Sequence, residues 1–573
     1  MKILLINPPD VDAALFDYDT AKRGRANNYP AYGLGVLARH LINRGFVPQI
    51  LNLNHELLKV VFSSTSPIEY DPVWQGILER EIKDFQPDLV GVTCLFSVTG
   101  KSLANVCRYL RTLTDKPVCI GGVHVTHDVD EIMKQTGADY AFLNESEKAF
   151  IQFLENEGKP PLTQVIFKTG EKYLEKNLPA GCDLDVIPPF EMMDVENHSL
   201  YGTLGSWYGF RYRDTRIGTA LSNRGCRAHC SFCNVRSFNG EGVRQRSIES
   251  VLDELQQLKD RGVGHIIWLD DDLLMREERA IALFDGMVKK NLQMTWDATN
   301  GVIAASLKDE VVAAASASGC IGLSLGIESG NADILRSIKK PGTPRIFRRA
   351  AEVLKNYPEI NVRALLIIGF PNETVGQMLD TINLCEEMNL DWHNIAILQP
   401  WKNTPIYDQM VDQGLLGDEE GKLKDDISPY QLGPYSRQRA VEQGKIQQSQ
   451  YGEKLGTAGM VDFSDLTRVP KTKELDDIWF YMNVRLNFER LLRETRPVKL
   501  RQQLTWLEYV STKTAPDNAL ILYFYEYLRS KVLGKYDLSG VEQRLSESSY
   551  WREKFDVLGI DVTGFPKQMR LAA

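Results

Sequence analysis

Short, continuous apolar runs alternate with segments of helical period over residues 1–157. KILLIN (2–7) reads as a strand, GLGVLARHLINRG (33–45) as a helix stopped by Gly45, and VPQILNLN (47–54) as the next strand. A helix over 73–84 leads to the strand DLVGVTCL (88–95), and a helix over 100–113 leads to the strand PVCIGG (117–122). A helix near 128–135 and the short strand YAFLN (140–144) close the series. Strands without a polar face, each followed by a helix, predict an α/β fold: a Rossmann-like, doubly wound parallel sheet covered on both sides. Ligands of such sheets sit beyond the carboxyl ends of the strands. Those ends are Asn7-Pro8-Pro9, Thr93 to Ser97, Gly121-Gly122-Val123-His124 and Asn144-Glu145.

Residues 158–215 carry proline and glycine at intervals (GKPP, NLPAG, VIPPF) and read as an irregular interdomain connection. A second series starts with the strand RIGTALSN (216–223). It continues through helix 247–261, strand 265–272, helix 277–290, strand 294–300, helix 307–318, strand 322–329, helix 344–356, strand 362–370, helix 374–388 and strand 394–400. Six β/α units predict a (β/α)6 partial barrel over 216–415, with functional groups on the loops after the strands. Segment 417–456 is polar and reads as a loop, whereas 473–496 and 516–534 read as amphipathic helices. Residues 416–573 are therefore expected to form a mainly helical accessory or cap domain.

At 573 residues the chain is long enough for several domains. Its net charge of −9 argues against nucleic acid as a partner, because phosphate binding needs clustered Lys and Arg. No apolar run is long enough for a transmembrane segment. The start, MKILLINPPD, reads as a buried strand rather than a signal peptide. Nine cysteines, an odd number in a large chain, do not suggest a secreted disulfide framework, so a reducing, cytoplasmic setting is expected.

The densest chemistry lies in RGCRAHCSFC, where Cys226, Cys230 and Cys233 are spaced C-x3-C-x2-C with no fourth cysteine nearby. Thiolates select soft metals or clusters, and structural zinc prefers four protein ligands. The spacing, with Phe232 just before the last cysteine, resembles the radical S-adenosylmethionine (SAM) superfamily over roughly 216–410. The resemblance implies a [4Fe–4S] cluster on Cys226, Cys230 and Cys233, with one iron open to the amino and carboxylate groups of SAM. Reductive cleavage of SAM then yields a 5′-deoxyadenosyl radical, which implies an electron donor such as flavodoxin or ferredoxin.

Further positions resemble the family's cofactor contacts. Glu328, in GIESG (326–330), stands where an acidic residue meets the SAM ribose or ammonium. Asp270, in WLDDDLL (268–274), is a second candidate for SAM or substrate. Arg244 and Arg246, in VRQRS, are placed to neutralise a carboxylate or the cluster's charge. GFPNET (369–374) resembles a family turn of structural character. Trp296, Asp297 and Asn300 read as a strand end facing the substrate, and Trp401 as packing.

NPP after the first strand, YPAYGLGVLARHL (29–41), PDLVGVTC (87–94), IGGVHVT (120–126) and NESE (144–147) resemble the cobalamin-binding domain that precedes the barrel in one radical SAM class. Gly121 and Gly122 would let backbone approach a macrocycle, and Thr93, His124, Asn144 and Glu145 line the same strand ends. The D-x-H-x-x-G element that supplies a cobalt-ligating histidine is absent, so cobalamin is expected to bind without a lower histidine.

The resemblance to cobalamin-dependent (class B) radical SAM enzymes implies C-methylation of an unactivated carbon in a small molecule. The alternative is the oxidative cyclase branch, similar to the anaerobic Mg-protoporphyrin cyclase, without net methyl transfer. A cobalamin carrier would not need the three-cysteine loop. A methylthiolating enzyme would carry three more cysteines in its first domain, where Cys94, Cys107 and Cys119 instead read as buried small residues.

Overall fold

β1 (Lys2–Asn7), β2 (Val47–Asn52), β3 (Leu89–Thr93), β4 (Val118–Gly121) and β5 (Tyr140–Phe142) form where the apolar runs place them. This computed structural model describes residues 1–174, 183–205, 215–416, 461 and 463–566. The expected polar loop over 417–456 lies outside the described residues. The chain divides into two compact units. Of the described residues, one holds those within 1–205, 215–227 and 234–271; the other holds those within 228–233 and 272–566.

In the first unit a seven-stranded sheet runs β2-β1-β3-β4-β5, then β6 (Val165–Phe167) and β7 (Lys172–Tyr173). The first five strands are parallel. Their apolar residues alternate between two cores. Leu4, Ile6, Val90, Val92 and Ile120 pack on one face, and Ile3, Leu5, Leu89, Cys119 and Phe142 on the other. Burial on both faces makes the sheet doubly wound, and the strand order reverses between β1 and β3. The helices that escaped the sequence pattern include Leu53–Ser63, capped by Asn52, whose Oδ1 accepts from His55 N, and Glu147–Glu155. The first of these follows β2 directly, with no turn residue between them. The reading of 158–215 as irregular also needs correction. The VIF run pairs antiparallel with β5, and β7 returns beside it through a turn at Gly170, where φ is +98°.

β8 (Arg216–Ala220) belongs to the same unit, with the short strands β9 (Asn223–Arg224) and β10 (Arg244–Gln245), and β11 (Val263–Trp268) pairs parallel with β8. In the second unit β12 (Thr295–Val302), β13 (Cys320–Glu328), β14 (Asn361–Ile368) and β15 (Trp392–Ile397) form parallel neighbours in the order β15-β14-β13-β12. All six expected β/α units are present along the chain. β12 runs two residues past its expected end, which places Trp296 and Asp297 at its start rather than at its carboxyl end. Trp296 is fully buried, stacks on Phe284 and donates its indole N–H to Ser318 Oγ, so it packs the core and does not face a substrate.

The C-terminal region is helical as expected, with helices at Thr472–Asn483, Pro497–Tyr509, Ala519–Leu533, Ser539–Glu547 and Ser549–Val557 among others. The aromatic run in 516–534 serves packing: Tyr523, Phe524 and Leu528 are buried in one cluster with Trp506, Trp551 and Phe555.

Candidate active site

The stem of the cysteine loop is built by carboxylates of the first unit. Asp270, just past β11, accepts from Ser222 N at 2.9 Å and from Ser222 Oγ at 2.5 Å. Its neighbour Asp271 accepts from Gly225 N at 3.3 Å and from Asn239 Nδ2 at 3.0 Å, joining residues before and after the three cysteines. Gly225 has φ +90°, and a side chain there would strike the carbonyl of Gly242, so only glycine suits the entry to the loop.

β9 and β10 pair antiparallel with Arg224 directly opposite Arg244. The loop after β5 answers both charges. Glu145 accepts from Arg224 at 3.0 Å and from both terminal nitrogens of Arg244, and Glu147 accepts from Arg224 at 2.7 Å. Burial opposes charge on Arg224 and Glu147. The pairing outweighs it, holding the guanidinium pKa above and the Glu147 carboxyl pKa below their ordinary values. Asn144, in the left-handed region at φ +59°, donates to the carbonyls of Ser237 and Phe238 at 3.0 and 3.1 Å. Arg246 is 4% exposed and pairs with the fully buried Glu254, to which the Tyr32 hydroxyl also donates. Arg246 thus pairs inside the protein with Glu254, and Arg244 with Glu145.

In the second unit, Ser231 N donates to Ile338 O at 2.9 Å and Ile406 N to Ser231 O at 3.0 Å, which fixes the loop's centre. Cys233 N donates to Cys230 O at 3.2 Å. The Phe232 ring packs on a cluster containing Ile334, Ile338, Phe370 and Ile406. Glu328 closes β13 with φ +63°, a conformation costly for a residue with a side chain, and accepts from Lys340 Nζ at 2.8 Å. Both side chains are about nine-tenths buried. Burial lowers the Lys340 pKa, but Glu328 and the Cys230 and Cys233 sulfurs raise it further, so its ammonium is held firmly protonated. Lys340, Arg224, Glu147 and Asp271 were not singled out from sequence. An unpaired Lys, Arg, Asp or Glu in a loop carries no signal of its partner until the fold supplies one.

At the carboxyl edge of the first sheet, Thr93 ends β3 opposite Gly121. Gly122 has φ +108°, and an added Cβ would lie 2.5 Å from the Cys94 carbonyl. The chain's own backbone therefore demands this glycine. Gly121 is not crowded in the same way; its nearest neighbour is the Phe142 carbonyl at 3.5 Å from an added Cβ. His124 is 8% exposed, with its Nε2 2.8 Å from where a Gly100 Cβ would be, a packed histidine at the start of a helix. Beside it Leu95 is 51% exposed and the Ser97 hydroxyl is buried with no partner. An apolar edge, an unsatisfied hydroxyl and the switch point between β1 and β3 fit a large flat cofactor with polar side arms.

Cys226, Cys230 and Cys233 are half-buried and lie in no disulfide. Among the described residues no group of three or more His, Cys, Asp or Glu is assembled to hold a metal ion. A cubane cluster asks for a different arrangement, since each of its three thiolates binds a separate iron. Within the second unit the Cys230 and Cys233 thiols stand beside the Lys340 ammonium, a combination that fits a negatively charged iron–sulfur cluster.

Residues 221–385 match the radical SAM superfamily, and residues 25–154 match the B12 binding domain. The chain is 24% identical over 461 residues to cytidylyl-2-hydroxyethylphosphonate methyltransferase of Streptomyces wedmorensis, covering 73% of this chain and 83% of that protein. It is 24% identical over 422 residues to the anaerobic magnesium-protoporphyrin IX monomethyl ester cyclase of Rubrivivax gelatinosus, covering 72% and 70%. Its fold is similar to that of the radical SAM methyltransferase TsrM from Kitasatospora setae, solved with tryptophan substrate and a SAM analogue. There the TM-score is 0.60 at 17% identity, covering 96% of this chain and 99% of that one.

Proposed function

We propose that this chain is a cobalamin-dependent methyltransferase acting on a carbon of a small molecule, because residues 221–385 match the radical SAM superfamily and residues 25–154, ahead of them, match the B12 binding domain. The observation that carries this reading is the presence of both matched segments, 25–154 and 221–385, on one chain. The methyltransferase name of the Streptomyces relative, matched along most of both chains, supports methyl transfer. The Rubrivivax relative keeps an oxidative cyclase as the second reading.

In this reading residues 1–157 bind cobalamin, 216–415 bind the cluster and SAM, and 416–573 are accessory. Cys226, Cys230 and Cys233 hold the [4Fe–4S] cluster. Bound there, the cluster and SAM supply a radical that abstracts hydrogen, and cobalamin supplies a methyl carrier. Glu328 offers a carboxylate acceptor to the SAM ribose or amino group, with Lys340 as its resting partner. Phe232 closes the loop against an apolar cluster and excludes water from one side. A low-potential protein such as flavodoxin or ferredoxin supplies the electron, and the reducing cytoplasm suits free thiols. Among the described residues no helix is long and apolar enough to cross a membrane.

The test is the absorption spectrum of anaerobically reconstituted protein incubated with hydroxocobalamin and desalted. A stoichiometric corrin spectrum on top of the iron–sulfur bands is expected. Iron–sulfur absorption alone would overturn the cobalamin-dependent reading and leave an ordinary hydrogen-abstracting enzyme.

A further inference from the structure

NESE (144–147), the loop after β5, touches the cysteine loop's stem on both sides. Asn144 holds the exit through the carbonyls of Ser237 and Phe238, while Glu145 and Glu147 hold the entry through Arg224. We propose that Glu145 and Glu147 are positioning residues that order the cysteine loop and set the placement of Cys226, so that the last loop of the B12-binding sheet governs how the cluster is held. This rests on Cys226 being a cluster ligand, as proposed above.

The argument is electrostatic. β9 and β10 are two residues each, and their register puts Arg224 across from Arg244. Like charges directly opposite in an antiparallel pair are destabilising. So short a hairpin has few ladder bonds to offset the repulsion. Glu145 bridges the two guanidiniums, and Glu147 adds a second carboxylate to Arg224. Side-chain exposure is 9% for both glutamates and 13% for Arg224, so the attraction is little screened. Only Gly225 separates Arg224 from Cys226, and Asp271 fixes that glycine's N–H. An arginine held in place therefore fixes the path of the chain into the first thiolate. Two like-charged arginines released from Glu145 would spread the stem.

The experiment uses the full-length apoprotein and then the reconstituted protein. In the apoprotein, Glu145→Gln and the milder Glu147→Gln should raise hydrogen exchange over 223–227 and increase alkylation of Cys226 several-fold relative to buried Cys94. Glu145→Asp should restore part of the protection. After reconstitution the same variants should shift the electron paramagnetic resonance signal or midpoint potential of the cluster, and Glu147→Gln should bind hydroxocobalamin as wild type does. Folded variants with wild-type exchange, alkylation and cluster signal would overturn the proposal. So would lost cobalamin binding with an unchanged loop, which would make Glu145 a cobalamin contact. The exchange arm needs no cluster. A wild-type protein that takes up no iron–sulfur cluster would therefore refute the cluster reading separately.

Discussion

Lys499 donates from its ammonium to Asp391 Oδ2 at 2.6 Å, and both side chains are under 5% exposed. The same ammonium reaches the carbonyl of Ile360 at 2.7 Å, while Asp391 also accepts from Val362 N at the start of β14. Gln503 and Arg490 donate to the Asp391 carbonyl, and the Arg363 guanidinium lies 4.2 Å from the centroid of the Trp506 ring. The helices around 490–509 are thereby built into the feet of β14 and β15 and form part of the second unit's core. Lys499→Met should cost about 3–5 kcal/mol, the usual price of stranding one partner of a buried pair. Lys499→Met with Asp391→Asn should recover much of that loss. Denaturant unfolding of the two variants checks both figures.

Glu373 lies in the GFPNET turn, 1% exposed, and one oxygen accepts from Gly369 N and Phe370 N at 2.7 and 3.1 Å. Burial raises its pKa to about 8 against these bonds, and its other oxygen has no partner. A carboxyl raised on folding binds its proton more tightly in the native state. Its contribution is fully present below the ordinary carboxyl range and is lost as pH rises towards 8. Glu373→Gln keeps an acceptor for both N–H groups and removes the titration. The variant should therefore lose less stability than wild type between pH 5 and 8, as read from thermal melts across that range.

Gly225 cannot take a side chain without moving the Gly242 carbonyl or leaving φ +90°. Gly225→Ala should cost about 1–3 kcal/mol of local order. Iron content after reconstitution should fall well below that of wild type. Gly33→Ala is the control, because nothing lies within 4 Å of its added Cβ.

Glu328→Gln removes the charge that faces Lys340. If Glu328 accepts from the SAM ribose or amino group, affinity for SAM should fall roughly ten- to hundredfold, matching the ~1.5–3 kcal/mol of a hydrogen bond to a charged group. Iron content should stay unchanged. Calorimetric titration of the cluster-loaded variant with SAM measures the first, and iron analysis the second. Cys226→Ala should abolish cluster assembly and 5′-deoxyadenosine formation altogether.

The two series of β/α units were legible because burial on both faces leaves a continuous apolar run, as in KILLIN and VRALLIIGF, that survives any tertiary detail. The cysteine loop was legible because its three cysteines lie within eight residues, 226–233. The short helix Glu147–Glu155 and the antiparallel strands β6 and β7 were not, since each is too short for its period to stand out.

Sequence alone determined the order of elements and the identity of the thiol loop, because both depend on residues close together in the chain. Tertiary structure decided which charges meet. Glu145 finds Arg244 across 99 positions, Lys499 finds Asp391 across 108, and Glu328 finds Lys340 across 12 that include a short helix. It also gave Gly122 its role, which is to clear the Cys94 carbonyl. Such pairings follow from where the sheets bring loops together, and a local pattern of residues holds no record of that.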